Sequence, residues 1–177
     1  MNNKFGKTLM ELKNNNITLR NAQSGEFKEV SRLLVAAYQQ YEKSMPPDSW
    51  AWYRQDMEDV QSRIADSELI IAETNNHIAG AVTLYPQGTD NGWPEGWAGI
   101  RLLAVHPDHR GLGIGRALME ECIRRCRERG TKTLGLHTTE LMKVAREMYE
   151  RMGFKRTHEF DFHPTPDNVV YAYRLDL

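Results

Sequence analysis

The chain has 177 residues, of which 40% are hydrophobic and 27% charged, with a formal net charge of −1. That length predicts one domain with a sizeable core, and the balanced charge excludes the positive surface that nucleic-acid binding needs. Two cysteines, Cys122 and Cys126, are too few for a disulfide framework and lack a C-x-x-C metal pattern, so buried, reduced thiols are expected.

Residues 1–16 are polar and asparagine-rich and read as a flexible N-terminal tail or short surface helix, which leaves 17–177 as the single domain. No apolar run has the length of a membrane span and the start lacks the apolar core of a signal peptide, so no membrane partner and a cytoplasmic location are expected. Ile17 to Asn21 alternates as a first strand. Ser24 then caps a helix over Glu26 to Tyr41, with Phe27, Val30, Leu33, Leu34, Ala37, Tyr38 and Tyr41 along one face. Met45-Pro46-Pro47 breaks the chain before a second helix from Trp50 to Ile64. Glu68 to Thr74 and His77 to Tyr85 form a predicted hairpin, because the joining Asn75-Asn76 pair tolerates positive φ.

A loop rich in glycine and proline, Pro86 to Gly96, leads to the stretch around which the chain is organised. Ile100, Leu102, Leu103, Ala104 and Val105 form a nearly continuous apolar run, as in a strand covered on both faces, and Pro107 stops it. Arg110-Gly111-Leu112-Gly113-Ile114-Gly115 then opens a helix whose Leu118, Met119, Cys122, Ile123 and Cys126 recur at helical spacing. Its Arg124, Arg125, Arg127 and Arg129 alternate with Glu120, Glu121 and Glu128, which reads as a solvated face. Beyond it, Thr133 to Thr138 is a strand, Glu140 to Met152 a helix ended by Gly153, and Phe154 to Phe162 with Val169 to Leu175 the last strand pair.

Glycines at the start of a helix carry a chemical implication. The first backbone N–H groups of a helix have no partner inside it and hold the positive end of its dipole. Without β-carbons at 111, 113 and 115, an anion such as phosphate can approach those amides closely. A Rossmann fingerprint fails here, because Gly111-x-Gly113 is followed at the third position by Arg116; a P-loop fails because no Gly-Lys-Ser/Thr string exists.

What remains is Arg110-x-x-Gly113-x-Gly115 after a strand of the form Leu103-x-Val105-x-Pro107, and a later helix with Ala145, Met148, Tyr149, Gly153 and Phe154 in register. These two separated motifs resemble those of the GNAT superfamily of N-acetyltransferases, with Met148 in place of a leucine. The resemblance implies an α/β (α+β) GNAT fold: a mixed, mostly antiparallel sheet of about seven strands, helices on both faces and a splayed central strand. It implies acetyl-CoA as co-substrate and an acetyl group transferred to an amine by direct attack in a ternary complex. By the same resemblance, Leu103, Ala104 and Val105 present backbone to the pantetheine arm and thioester. Gly111, Leu112, Gly113, Ile114, Gly115 and Arg116 offer amides to the pyrophosphate, to which Arg110 and Arg116 add charge. Tyr149 corresponds to the general acid, although Leu141, Ala145, Met148, Tyr149 and Met152 also form a plain helical core stripe.

Two family residues are absent: Met142 stands where many members carry asparagine, and Gly99 where some carry a catalytic glutamate. The general base is therefore open among Glu73, Glu95, His137 and Glu140, and an amine that is already neutral or deprotonated through water needs none. His106-Pro107-Asp108-His109 lacks an H-E-x-x-H string, and no metal is expected. Tyr38, Tyr41, Trp50, Trp52, Tyr53, Trp93 and Trp97 concentrate where the resembling family borders its acceptor groove, as packing residues or as walls for an apolar or cationic amine. The expected acceptor is a small-molecule amine; a protein N-terminus or lysine, and a non-catalytic acyl-CoA sensor, are the alternatives. Homodimerisation is the family's habit and is not visible in the sequence.

Overall fold

The computed structural model describes residues 17–89, 92–165 and 168–177. The expected tail over residues 1–16, and Pro166-Asp167 of the last connector, lie outside the described residues. The order is β1 (Thr18–Asn21), α1 (Phe27–Tyr38), α2 (Pro47–Glu58), a single turn α3 (Val60–Arg63), β2 (Glu68–Thr74), β3 (His77–Tyr85) and β4 (Trp97–Val105). Then come α4 (Ile114–Glu128), β5 (Thr133–Thr138), α5 (Lys143–Arg151), β6 (Lys155–Arg156), β7 (Phe162–Thr165) and β8 (Asn168–Asp176).

Among the described residues eight strands form one sheet in the order β1-β2-β3-β4-β5-β8-β6, with β7 on β8. Every pairing is antiparallel except β4 with β5. The β2–β3 hairpin turns on Asn75 (φ 50°) and Asn76 (φ 60°), the left-handed pair that a two-residue connection requires.

Strand alternation divides the core in two. Ile70, Ala72, Val82, Leu84, Ala98, Ile100, Leu134 and Leu136 face α4, which contributes Ile114, Leu118, Met119, Cys122, Ile123 and Cys126. Leu69, Ile71, Ala81, Leu102 and Ala104 face the opposite way, against Val30, Leu33, Leu34 and Tyr38 of α1 and Trp50 and Met57 of α2. Both cysteines are buried free thiols, and burial pushes the Cys126 thiol up to about 11.

Four predicted elements differ from those observed. The helix expected from Trp50 to Ile64 begins at Pro47 and is interrupted at Asp59, whose side chain accepts the Ser62 backbone N–H and caps the separate turn α3. The first helix is bounded by tighter 3-10 turns at Ser24–Glu26 and Gln39–Ser44. The helix expected from Glu140 starts at Lys143, after a turn in which Met142 N–H donates to Thr139 O at 3.1 Å. The strand expected over Phe154 to Phe162 is broken into β6, a 3-10 turn at His158–Phe160, and β7. The reason is Asp161: its carboxylate accepts the Ala172 backbone N–H at 2.8 Å and pairs with Arg156 at 2.5 Å, replacing ladder bonds by side-chain bonds.

Candidate active site

The site begins with a fault in β4. Ala81 pairs with Ala104 and Thr83 with Arg101, so β4 holds one residue more than its partner between these rungs. That is a β-bulge, and Leu102 takes it up with φ 53°. A one-residue slip reverses the faces of a strand. Ile100 accordingly packs toward α4, whereas Leu102 and Ala104 pack toward α1.

On the other side, β4 pairs with β5 only from Trp97↔Thr133 to Ile100↔Leu136. Past that rung the two strands part. A cavity of about 1090 Å³ occupies the fork, lined by Arg101, Leu102 and Leu103 of β4, His137 and Thr138 of β5, Thr139 after it and Tyr149 of α5. Tyr38, Trp52, Tyr53, Trp93, Phe160 and Phe162 complete an aromatic wall. The break at Asp161 is what turns Phe160 and Phe162 toward this wall.

Tyr149 is only 6% exposed, and burial pushes its phenol well above the ordinary value, so it is protonated at neutral pH. Tyr38 donates to the Leu103 carbonyl at 3.0 Å and meets Tyr53 edge-on at 5.4 Å, which fixes the bulge against α1 and α2. The hydroxyls of Thr138 and Thr139 are buried without a partner in the cavity wall. An unpaired buried hydroxyl is costly, and these two are available to a bound polar group.

His137 is stacked on Trp93 at 4.4 Å and meets Phe162 edge-on at 5.1 Å. Its Nε2 lies 3.0 Å from the Phe160 carbonyl oxygen. A carbonyl only accepts, so Nε2 carries the hydrogen and Nδ1 of the neutral ring keeps a lone pair. Burial lowers its pKa below the ordinary 6.5, which favours that neutral ring. Of the other sequence candidates for a base, Glu73 pairs with Arg20 at 2.7 Å, and Glu95 and Glu140 are exposed side chains outside the cavity lining.

The glycine-rich loop lies at the N-terminus of α4. Gly111 and Gly113 have φ of 77° and 80°, and a β-carbon built at either meets nothing within 4 Å, leaving open space over the first amides of a 15-residue helix. This cradle fits a pyrophosphate. A β-carbon at Gly115 makes ordinary contact with Val105 at 3.5 Å, and Ile114 is sealed in the core at 2% exposure. Arg110 is engaged elsewhere: it donates to Ala37 O at 3.0 Å and to Gln40 Oε1 at 3.4 Å, satisfying the end of α1. Arg116 pairs with Glu120 at 2.7 Å on the outer face of α4.

Among the aromatic residues singled out in the sequence, Trp50 is core and Tyr41 packs edge-on against Tyr38, while Trp97 supports Trp93 by stacking at 5.7 Å. Arg101, Thr138 and Thr139 were not among the sequence candidates. Arg101 had a signal, being the one charge inside the apolar run of the central strand. Among the described residues no group of three His, Cys, Asp or Glu side chains is placed to hold a metal ion, and no helix is long and apolar enough to cross a membrane.

A bulged central strand, a fork beside it and a glycine-opened helix are together the geometry that the sequence motifs implied. The family model described as "Acetyltransferase (GNAT) family" matches residues 29–154. The chain belongs to this family. An uncharacterised N-acetyltransferase of Schizosaccharomyces pombe is 30% identical over 109 residues, covering 62% of this GNAT chain and 63% of that protein. N-acetyltransferase 8B of Homo sapiens is 30% identical over 127 residues, covering 70% of this chain and 53% of that protein. The chain thus spans about half to two thirds of the length of these curated relatives. The GNAT fold is shared with the PaiA N-acetyltransferase of Thermoplasma acidophilum, whose crystal structure is in complex with coenzyme A. The TM-score is 0.74 at 14% identity, over 92% of this chain and 99% of that one.

Proposed function

We propose that the protein is an acetyl-CoA-dependent N-acetyltransferase that acetylates an amine of a small molecule by direct attack in a ternary complex. The observation that carries this reading is that bulged backbone at Leu103, the buried phenol of Tyr149 and an aromatic wall line one and the same cavity. Acetyl-CoA supplies an acyl thioester. The amides from Gly111 to Arg116 hold its pyrophosphate, where α4 is unpaired and positive. The backbone of Leu103, Ala104 and Val105, which has no ladder with β5, bonds the pantetheine arm and the thioester oxygen. Tyr149 gives its proton to the departing sulfur, and His137 Nδ1 takes the proton that the amine nitrogen loses on forming the amide. Trp52, Tyr53, Trp93 and Phe160 favour a small acceptor with an apolar body over an extended polypeptide.

The test is a thermal-shift titration with acetyl-CoA, CoA and NAD, run on the native chain and on Gly113→Val and Gly130→Val. Gly113 and Gly130 share a left-handed φ, 80° and 74°, so valine strains both, but only position 113 opens α4. Acetyl-CoA and CoA raise the melting temperature of the native chain and Gly130→Val, NAD does not, and Gly113→Val loses at least about tenfold in affinity. Stabilisation of none of the three proteins by saturating acetyl-CoA refutes the reading.

A further inference from the structure

Arg101 is the first residue of β4 beyond the last rung shared with β5, as His137 is the first of β5 beyond it. Both line the cavity. Arg101 is held from behind: its Nη2 donates to Asp56 Oδ2 at 3.0 Å. Arg63, whose side chain is only 7% exposed, donates to the Asp56 and Met57 backbone carbonyls and lies 3.9 Å from the same carboxylate at Asp56 Oδ1, near enough for charge pairing but not for a hydrogen bond. Two guanidinium groups therefore flank one largely buried carboxylate, which only Arg101 hydrogen-bonds, and this inner cluster carries a surplus positive charge. Asp59 also acts on Arg63, from a position fully open to water.

The other acids of the lining do not cancel that charge. Asp161 is already paired with Arg156, and Asp48 and Glu159 are exposed, where water screens them. The surplus is thus directed into an aromatic cavity through the guanidinium of Arg101. A planar fork of N–H donors with one nitrogen anchored matches the paired oxygens of a carboxylate, the anion that an amine-bearing small acceptor most commonly carries. His137, neutral and with Nδ1 free to accept, stands beside it for an amine.

We propose that the acceptor carries a carboxylate as well as the amine that is acetylated, an amino-acid-type molecule with an apolar or aromatic body, and that Arg101 binds that carboxylate. This rests on the transferase reading above. The acceptor lies with its carboxylate on Arg101, its amine between His137 and the thioester, and its side chain against Trp93, Phe160 and Tyr53. Arg101 is then the residue that sets acceptor specificity. Its anchor, Asp56, is a positioning residue.

The experiment follows thiol release at saturating acetyl-CoA with three matched sets: phenylalanine, phenylalaninamide and phenethylamine; tryptophan, tryptophanamide and tryptamine; leucine, leucinamide and isoamylamine. In at least one set the acid is expected to exceed its amide and its amine by tenfold or more in kcat/KM. Arg101→Gln lowers kcat/KM for the acid at least tenfold more than for its amide, the excess loss lying in KM, and Arg101→Lys restores part of it. Equal or faster transfer to the amide or amine, or an equal loss on acid and amide in Arg101→Gln, overturns the carboxylate assignment and leaves the transferase intact. Transfer to none of the nine by a protein that acetyl-CoA stabilises also overturns the acceptor class. Absence of that stabilisation is the separate result that sinks the transferase reading itself.

Discussion

Arg110 shows how a motif residue can keep its place and point elsewhere. The spacing Arg110-x-x-Gly113-x-Gly115 is readable in the sequence, but the direction of the guanidinium is set by Ala37 and Gln40, on a helix far away in the chain. Tyr149 is the converse: its helical position fits a core stripe and an acid equally well, and in the structure it both packs in the core and lines the cavity, so a substitution has to separate the two. Tyr149→Phe keeps the ring that packs at 5.9 Å from Phe154 and removes only the proton donor. Turnover is expected to fall by about 100-fold or more while acetyl-CoA affinity changes less than threefold, as for loss of a general acid. Steady-state rates beside a direct binding titration check this; unchanged turnover returns Tyr149 to the core.

At the scale of elements, the sequence was legible wherever a period was long and local. The hairpin at Asn75-Asn76 and the amphipathic α4 both follow from neighbouring residues. The bulge in β4 was expected only through family resemblance, because an apolar run hides its period: Ile100, Leu102 and Ala104 look alike whether or not a residue has slipped. The break at Asp161 was hidden for another reason, since its carboxylate competes with a ladder that only the partner strand defines. Gly135 illustrates a packing demand invisible in a strand pattern. A β-carbon there would lie 2.6 Å from the Trp93 ring, which itself stacks with His137 and with Trp97. Gly135→Ala must displace that ring, and a loss of about 1–3 kcal/mol is expected, as for an overpacked core. Chemical denaturation, together with a changed near-ultraviolet signal from Trp93, measures it; native stability would show that the ring does not rest on β5.

For the molecule as a whole, charge placement sets the acid limit of stability. Hydrogen bonding to Arg20 holds the Glu26 carboxyl at about 2, and Arg124 does the same for Glu121. Folded values below the ordinary 4.5 mean that the unfolded chain binds protons more readily. Their contribution is therefore complete above 4.5 and is lost as pH falls toward about 2. His137 adds in the same direction: its lowered value makes stability fall as pH drops through the ordinary 6.5. Denaturation midpoints of the native chain should decline across these windows, and Glu26→Gln with Glu121→Gln should flatten the lower one. A double variant with the native slope would show that these pairs are screened at the surface.

The fork in the sheet has a mechanical consequence. Four rungs, Trp97↔Thr133 to Ile100↔Leu136, are the whole ladder between a half made of β1 to β4 and a half made of β5 to β8. Beneath the sheet the two halves share one core, in which α4 packs against Ile70 and Leu84 of the first and Leu134 and Leu136 of the second, so the seam is open in the ladder and closed in the core. A molecule seated in the fork touches both halves at once and acts as the missing rungs. Occupancy is therefore expected to slow amide exchange at the open ends of β4 and β5, the part of the seam that the shared core does not hold.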